Sequence, residues 1–338
     1  MVSGNSLGSP RETWLRRPTG HPMNRWEERG GGVAVRHLAL DLVRLYTFYF
    51  PVRKGKYRVM TAALRFAGSP EGELVQCRTA DGRDFLVELS SSPGMYDTVY
   101  FLGEYERFIT RIVSSMVLPG DRCLDVGANY GWYTLLLSHL SGTAGEVHAF
   151  EPVPETFRML RRNFETAGSP PNIVLNNMGV ADAPGRASMH VFAGLPNGHS
   201  SLSDMGRKDF YAVECELITL DEYLGNRPGP PIRFVKCDAE GGELKVLWGA
   251  TSLLRQPVPP IWIVEMAQET ARPFGYGPND LLECLREGAD YEFYAIDEVR
   301  SKVRRINRFA DGDIGANVLC VPAGQFRDRL SGVPRARD

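Results

Sequence analysis

The sequence predicts an α/β fold in which a mostly parallel sheet is covered by helices on both faces. From residue 122 onwards, short apolar segments alternate with longer segments whose apolar residues recur at helical spacing. Within this region, an apolar run ends in an acid and continues as the turn Gly127-Ala128-Asn129-Tyr130-Gly131. Strand, tight turn and helix in this order are typical of a doubly wound sheet, which binds ligands at the carboxyl ends of its strands.

Each element of the sheet region follows from its own apolar pattern. The predicted parallel strands are residues 122–126, 147–151, 173–177, 233–238 and 261–265, and the predicted helices are residues 132–141, 155–167, 241–254 and 279–287. Further strands are expected at residues 187–192, 291–296 and 317–321, the last two as an antiparallel hairpin at the sheet edge. The basic segment 300–308 is expected to form a solvated surface hairpin.

The residues before the sheet region divide into a tail and an extension. Residues 1–32 are rich in Gly, Pro and Arg and are expected to be disordered. An amphipathic helix is predicted at 33–50, and its aromatic end is expected to dock on the main domain rather than on a membrane or a partner. A hairpin is predicted around Asp81-Gly82, and a helix at 103–118. The expected domains are a tail at 1–32, an extension at 33–94, the main domain at 95–324 and a flexible tail at 325–338.

Composition excludes several classes of protein. The chain has 338 residues, 43% of them hydrophobic and 24% charged, which suffices for a substantial core. Its net charge of −2 gives no field that favours nucleic acid. No apolar run reaches the length of a membrane span and the N-terminus has no signal-peptide pattern, so we expect a cytoplasmic protein. The six cysteines lack a Cys-x-x-Cys pair and are expected to be buried free thiols.

The glycine turn indicates which nucleotide it holds. It lacks the third glycine of the dinucleotide fingerprint, and Asn129 replaces the second, so a pyrophosphate is disfavoured. Asp125, just before the turn, would repel phosphate but suits a cationic amino group. Glu151 lies twenty residues after Gly131, at the end of the next strand, where an acid accepts hydrogen bonds from ribose hydroxyls. This combination fits S-adenosylmethionine better than NAD.

Two motifs carry a specific resemblance. Residues 124–131, followed by Phe150-Glu151-Pro152, resemble the class I S-adenosylmethionine-dependent methyltransferases. Residues 235–250 look like the Lys-x-Asp-x-Glu-Gly-x-Glu signature of the FkbM family within that superfamily, with Gly103-Glu104-Tyr105-Glu106 as a supporting match upstream. The resemblance covers roughly residues 95–322. It implies a Rossmann-like, doubly wound, mostly parallel seven-stranded sheet, preceded here by the N-terminal helix and β-hairpin extension.

The resemblance also implies which residues contact the cofactor. The residues expected at the methionine end are Asp125, Gly127, Asn129, Tyr130 and Gly131. The residues expected at the ribose and adenine are Glu151, Pro152, Asn177, Met178, Gly179 and Asp182, the last of them through the adenine amine.

The expected catalytic residues are Lys236, Asp238, Glu240 and His199. Strand alternation directs Lys236, Asp238 and Glu240 to one side of the sheet, beside the methyl group in this fold, where a carboxylate can accept a hydroxyl proton. Lys236 either neutralises the acids or acts directly. His199 is either a base on a closing loop or an exposed loop residue. Glu243 is expected to surround the next helix N-terminus. These acids resemble a metal site, but no metal ligand is assigned, and a divalent metal is possible but not expected.

The sequence therefore predicts a methyltransferase that uses S-adenosylmethionine to methylate a hydroxyl on a small molecule, such as a natural product or a sugar. The alternatives are a methyltransferase acting on nitrogen or on a macromolecule, and a non-catalytic binding protein that retains the cofactor fold. Neither a nucleic-acid partner nor a membrane span is expected. The oligomeric state is open, with a homodimer as one option.

Overall fold

The computed structural model describes residues 31–50, 55–67, 74–88, 95–192, 200–203, 209–310 and 312–333. The chain divides after Tyr105 into two compact units. Most of the predicted disordered tail lies outside the described residues, and so does His199. Within the described ranges, no helix has both the length and the apolar character needed to cross a membrane. All six cysteines are free, and five of them are buried.

The first unit contains the predicted helix and hairpin together with two further helices. Its elements are α1 (Gly31–Tyr49), α2 (Lys56–Ala67), β1 (Leu74–Arg78), β2 (Asp84–Glu88) and α3 (Met95–Leu102). The strands β1 and β2 pair antiparallel, and their alternating side chains bury Val75, Phe85 and Val87. The helix α3 packs on α1 and on β2. The sequence analysis did not predict α2, whose buried residues are Met60 and Leu64, spaced by one helical turn.

The second unit holds the remaining elements. In chain order they are α4 (Arg107–Met116), β3 (Arg122–Val126), α5 (Trp132–Ser141), β4 (Glu146–Phe150), α6 (Pro154–Thr166), β5 (Ile173–Asn176), β6 (Gly179–Val180), β7 (Gly185–Phe192), β8 (Ser200–Ser201), β9 (Phe210–Ile218), α7 (Leu220–Gly225), β10 (Ile232–Cys237), α8 (Glu243–Trp248), α9 (Thr251–Leu254), β11 (Ile261–Ala267), α10 (Gln268–Ala271), a 3₁₀ turn (Arg272–Phe274), α11 (Pro278–Gly288), β12 (Tyr291–Asp297), β13 (Lys302–Ile306), β14 (Gly315–Pro322) and α12 (Arg327–Leu330).

The central sheet confirms the predicted fold class. Its strand order is β13-β12-β14-β11-β10-β3-β4-β5, with parallel pairing from β11 to β5 and antiparallel pairing from β11 to β13. The order of the parallel strands reverses between β3 and β10, and ligands bind at such a point in open α/β sheets. The register places Lys236 of β10 opposite Asp125 of β3. The functional residues of both strands therefore meet at one edge.

The sheet has eight strands rather than seven, because the basic segment adds one. β13 pairs with β12 and buries Val303 and Ile306 while Arg304 and Arg305 stay exposed. Its burial pattern does not alternate, so the strand is defined by its pairing with β12 rather than by a period of two. The expected edge hairpin of β12 and β14 is also different: the two strands do pair, but β14 lies between β12 and β11 inside the sheet.

Helices cover both faces of this sheet. On one face α8 and α11 pack together over a continuous core that includes Leu124, Val235, Trp262 and Val264. On the other face α5 packs on β3 and β4, and Phe157 and Leu160 of α6 contact Ala149 of β4. The strands are therefore buried on both sides, as their apolar sequences require.

A second, smaller sheet has the order β6-β9-β7-β8. The sequence analysis predicted only part of it, residues 187–192 within β7. β8 pairs with His190 and Val191 of β7, and both of its residues are buried. The Ser201 hydroxyl donates a hydrogen bond of 2.8 Å to the backbone oxygen of Glu240. This sheet therefore reaches the loop that follows β10.

The predicted helix at 103–118 is shorter, because α4 begins only at Arg107. Gly103 and Glu106 both adopt left-handed backbone conformations, with φ of 68° and 38°, and a left-handed residue ends a regular helix. The amides of Phe108 and Ile109, at the start of α4, donate to the carboxylate of Glu298 at 2.8 and 3.1 Å. The helix start is thus capped from a distant part of the chain.

Residues 325–333 of the predicted C-terminal tail lie within the described part of the chain and include α12. Arg329 of α12 bonds the Asp121 carboxylate with both terminal nitrogens, at 2.7 and 3.3 Å, and donates to the backbone oxygen of Met116 at 2.6 Å. Leu330 and Val333 are buried beside it. This bidentate, largely buried ion pair joins α12 to the segment between α4 and β3.

We expect Arg329→Ala to lower the free energy of unfolding by about 2–3 kcal/mol, because Asp121 then stays buried without its cation. Urea denaturation of the full chain measures this change. Arg186→Ala is the matched control, since Arg186 pairs with Glu216 at 3.6 Å with both side chains exposed. The control should change stability by less than about 0.5 kcal/mol. Equal losses in the two variants would show that α12 contributes no such anchor.

Candidate active site

The turn after β3 and the residues after β10 touch each other through their backbones. Gly127 has φ of 78°, and a Cβ built there would lie 1.8 Å from the backbone oxygen of Asp238. The amide of Asp238 donates to the backbone oxygen of Val126 at 3.0 Å. No residue with a side chain fits at position 127 without moving one of the two segments. Glycine at this point therefore brings Asp238 against the turn.

The rest of the turn is fixed by backbone bonds and by a second glycine. The amides of Gly127 and Ala128 both donate to the backbone oxygen of Phe150, at 3.0 and 2.9 Å. Asn129 and Gly131 have positive φ, and a Cβ at Gly131 would lie 2.6 Å from Leu160. Tyr130 is buried. The turn thus presents backbone rather than side chains at the edge of the sheet.

Asp125 lies beneath this turn and is almost fully enclosed. Only 1% of it is exposed, and the hydroxyl of Thr134 in α5 donates to its carboxylate at 2.5 Å. Burial raises the pKa of Asp125 to about 6, against the effects of the Thr134 hydrogen bond and the Lys236 charge. The sequence placed Asp125 correctly at the strand end, but its carboxylate serves first to join β3 to α5.

Glu151 lies at the end of β4 and faces the same turn. Its two oxygens accept hydrogen bonds from the amides of Asn129 and Val153, at 3.0 and 2.9 Å. Burial raises its pKa to about 7, although both amide hydrogen bonds oppose the shift. Each oxygen of an ionised carboxylate has a further lone pair. Glu151 is therefore held in place and retains acceptors for a pair of hydroxyl groups.

The residues predicted at the adenine follow β5, next to Glu151. Asn177 donates from its side chain to the backbone oxygens of Glu151 and Pro152, at 2.9 and 3.1 Å. Met178 packs on the main core, and Gly179 starts β6. Asp182 forms an exposed ion pair of 3.3 Å with Lys245. The structure therefore brings 177–179 together with Glu151, while Asp182 has a partner of its own.

A buried ion pair marks the end of β10. Lys236 Nζ donates to Asp238 Oδ2 at 2.8 Å; the lysine side chain is 1% exposed and the aspartate side chain 31% exposed. Burial alone would lower the pKa of Lys236, but the charges of Asp238 and Glu106 raise it above its usual value. The same ammonium lies 5.3 Å from the ring centroid of Tyr133. Asp238 is thus the accessible partner and Lys236 the buried one.

The loop between β10 and α8 is held by Glu243. Its carboxylate accepts hydrogen bonds from the amides of Ala239 and Gly241, at 2.8 and 3.3 Å, and from the hydroxyl of Tyr276 at 3.2 Å. Burial raises its pKa to about 7. Glu240 lies at the tip of this loop with φ of 48°. Since β10 ends at Cys237, strand alternation does not extend to Glu240, whose direction is set by the left-handed turn.

Three carboxylates of this region lie close enough to hold a metal ion. One oxygen of each of Asp238, Glu243 and Glu265 lies within 4.8 Å of the others. The charge of Asp238, followed by burial, raises the pKa of Glu265 to about 10, and its Oε2 makes no hydrogen bond to any described residue. Glu243, however, is occupied by the loop, and Lys236 already neutralises Asp238. The donor set therefore fits a metal poorly, because a hard cation needs several free oxygens.

Tyr133 and Glu106 also lie at this edge, and no sequence motif gave either of them a role. Tyr133, in the first turn of α5, donates a hydrogen bond of 2.6 Å to the carboxylate of Glu106. Glu106 belongs to the Gly103–Glu106 match, but the predicted continuous helix concealed its direction. The feature that identifies Glu106 is its left-handed backbone just before α4, and the sequence does not show this conformation.

The hydrogen-bonding groups and charges at this edge suit S-adenosylmethionine. The Glu151 carboxylate, held by the amides of Asn129 and Val153, retains acceptors of the kind that bind ribose hydroxyls. Among the described residues at this edge, the carboxyl groups of Asp125, Glu151, Asp238 and Glu243 are accompanied by a single buried ammonium group, that of Lys236. A ligand with a sulfonium and an ammonium group matches such an excess of negative charge.

Comparison with known sequences gives the same answer. The model of the family described as "Methyltransferase FkbM domain" matches residues 125–305, which is more than half of the chain. The hexuronic acid methyltransferase AglP of Haloferax volcanii is 29% identical over 62% of this chain and 76% of its own. The 31-O-demethyl-FK506 methyltransferase FkbM of Streptomyces tacrolimicus is 29% identical over 39% of this chain and 60% of its own.

Among solved structures, the methyltransferase FkbM from Methylobacillus flagellatus aligns with a TM-score of 0.36 and 11% identity. That alignment covers 85% of this chain and 59% of the other. The matched residues 125–305 include the glycine turn, Glu151 and the Lys236–Glu243 signature described above. The chain therefore belongs to the FkbM family of S-adenosylmethionine-dependent methyltransferases.

Proposed function

We propose that this methyltransferase transfers the methyl group to a hydroxyl oxygen of a small-molecule acceptor, such as a sugar or a natural product. The observation that carries the proposal is the contact between the Gly127 turn and Asp238, beside the buried Lys236 ammonium. It puts a partly exposed carboxylate next to the turn assigned to the cofactor. The names of both relatives agree with an oxygen acceptor. One relative is named for a hexuronic acid, and the other is named for 31-O-demethyl-FK506.

In this proposal the turn and its neighbours hold the cofactor. Glu151 accepts the ribose hydroxyls, and the segment 177–179 lies beside the adenine. Asp125 supports the turn from below through Thr134. These contacts fix the position of the methyl group relative to Asp238, and positioning of this kind supplies a large part of the rate of a displacement reaction.

The reaction needs an electrophilic carbon and removal of one proton. Bound S-adenosylmethionine supplies the carbon as a methyl group on positively charged sulfur. Asp238 accepts the hydroxyl proton as the oxygen attacks, which is general-base catalysis. Lys236 keeps the carboxylate in one orientation through its 2.8 Å bond. Glu240 follows Asp238 in the same loop, and the Ser201 bond to its backbone oxygen holds this part of the loop in place.

We expect the affinity for the cofactor to depend on pH through Glu151. Because the pKa of Glu151 is about 7 in the free protein, its carboxylate is mostly protonated at pH 6 and mostly ionised at pH 8. Ribose hydroxyls donate to the ionised form, so affinity for S-adenosylhomocysteine should rise by about tenfold from pH 6 to pH 8. Isothermal titration at both pH values measures this ratio.

Glu151→Gln is the matched variant, since it keeps the shape and cannot ionise. Its affinity at pH 8 should fall to about the level of the unmodified protein at pH 6, and its own ratio between the two pH values should be close to one. A variant that retains the full pH dependence would assign the ionisation to another group and contradict this role of Glu151.

A substitution at Asp238 distinguishes a role in the methyl transfer from a role in cofactor binding. Asp238→Asn removes the proton acceptor and retains the shape, so turnover should fall by about 10²–10⁴-fold while affinity for S-adenosylhomocysteine changes less than about threefold. Single-turnover methylation of an accepted hydroxyl compound and titration of the same preparation give the two numbers.

Glu292→Gln is the control for this experiment, because Glu292 pairs with exposed Arg305 at 2.9 Å on the edge strands β12 and β13, away from β3 and β10. It should leave turnover unchanged. Full turnover by the Asp238 variant would exclude Asp238 as the proton acceptor, and an equal loss of affinity and turnover would assign it to cofactor binding instead.

A further inference from the structure

The reaction described above does not use one partly buried carboxylate at the same edge, that of Glu106. Glu106 is the residue just before α4 and has a left-handed backbone, with φ of 38° and ψ of 58°. A glutamate in this conformation is strained relative to the helical region. Strain of this kind persists only where surrounding contacts hold it, and it is concentrated at functional sites.

The position of Glu106 suggests capping of α4, but its side chain makes no such bond. Glu298 performs that task, with its two oxygens on the amides of Phe108 and Ile109. The Glu106 carboxylate is therefore not needed at the start of α4, and it contacts Tyr133 of α5. Because Glu298, just after β12, caps α4, the Glu106 side chain is available to bond Tyr133 instead.

The contacts of Glu106 place it beside the cofactor turn. The hydroxyl of Tyr133, the second residue of α5, donates to Glu106 Oε2 at 2.6 Å. Burial raises the pKa of Glu106, and the positive charge of Lys236 opposes that rise. Lys236 in turn bonds Asp238. Glu106 therefore lies between the start of α5 and the end of β10, on the side where the methionine part of the cofactor is expected.

Asp125 was the first candidate to receive a cationic amino group there, but the structure encloses it. It is 1% exposed and already bonded to Thr134. Glu106 is partly exposed, and in the described residues its Oε1 accepts no hydrogen bond. An ammonium group needs a reachable acceptor of opposite charge. Of these two carboxylates, Glu106 is the one that offers it.

We propose that Glu106 is a cofactor-binding residue that accepts a hydrogen bond from the α-ammonium group of the amino-acid part of S-adenosylmethionine, with Tyr133 holding its other oxygen. The inference rests on the proposed use of this edge as the cofactor site. It gives Asp125 a supporting role, and it makes Glu106, the residue just before α4, part of the site. The motif Gly103–Glu106 then has a chemical reason to precede the turn by about twenty residues.

The test compares two ligands that differ only in the ammonium group: S-adenosylhomocysteine and its deamino analogue, in which hydrogen replaces the amino group. Isothermal titration of the full chain at pH 7.5 measures both affinities. Glu106→Gln should weaken S-adenosylhomocysteine by about 10- to 100-fold, the range of a charge-assisted hydrogen bond, and the deamino analogue by less than about threefold. Glu106→Asp, which keeps the charge on a shorter chain, should lose less than Glu106→Gln.

Tyr133→Phe is the control for an indirect effect, because it removes the support of Glu106 and keeps the carboxylate. Any loss in this variant should be smaller than in Glu106→Gln and should again spare the deamino analogue. If Glu106→Gln weakens both ligands equally, or neither, the inference is overturned while cofactor binding itself stands. If the unmodified protein binds neither ligand at millimolar concentration, the cofactor site and this inference fail together.

Discussion

The site depends on one close backbone contact, between the turn after β3 and the residue that follows β10. The Asp238 amide bonds the Val126 oxygen, and the space next to Gly127 is filled by the Asp238 oxygen. Since neither segment can move outward without breaking a strand end, the cofactor turn and the acidic loop form one rigid piece. This contact also sets the direction of Asp238. The proposed acid–base group is thus positioned by main chain, which is stiffer than any side-chain support.

The close packing at this end of the sheet also shifts the pKa values of its carboxyl groups. Burial raises the pKa of Asp125 to about 6 and of Glu151 and Glu243 to about 7, and repulsion from Asp238 raises that of Glu265 further. Each of these groups is easier to ionise when a positive charge is near. A cationic ligand at this edge would therefore favour the ionised carboxylates, which agrees with the missing third glycine that disfavours a pyrophosphate.

Sequence patterns were sufficient for the parts of the site that are local. The strand, turn and helix around Gly127, the acid at the end of β4 and the Lys236 signature all lie within short segments, and the structure brings them to one edge. The break before α4 was not predictable, because the helical pattern continues across it and the cap, Glu298, lies 190 residues away from Phe108. β9 and β13 were missed for a similar reason, since their pairing partners decide whether polar segments become strands.

The two ends of the site are built differently, and this has a consequence for the acceptor. The cofactor end consists of backbone turns within the central sheet, where a change of sequence disturbs the fold. The loop after β10 is tied to the second sheet by the bond from Ser201 to the Glu240 oxygen. β7 and β9 have many exposed positions, and of their residues only Ile218 packs against the main core. Substitutions there can reshape the acceptor side while Gly127, Glu151 and Asp238 stay in place, so a single cofactor site is compatible with acceptors as different as those named for the two relatives.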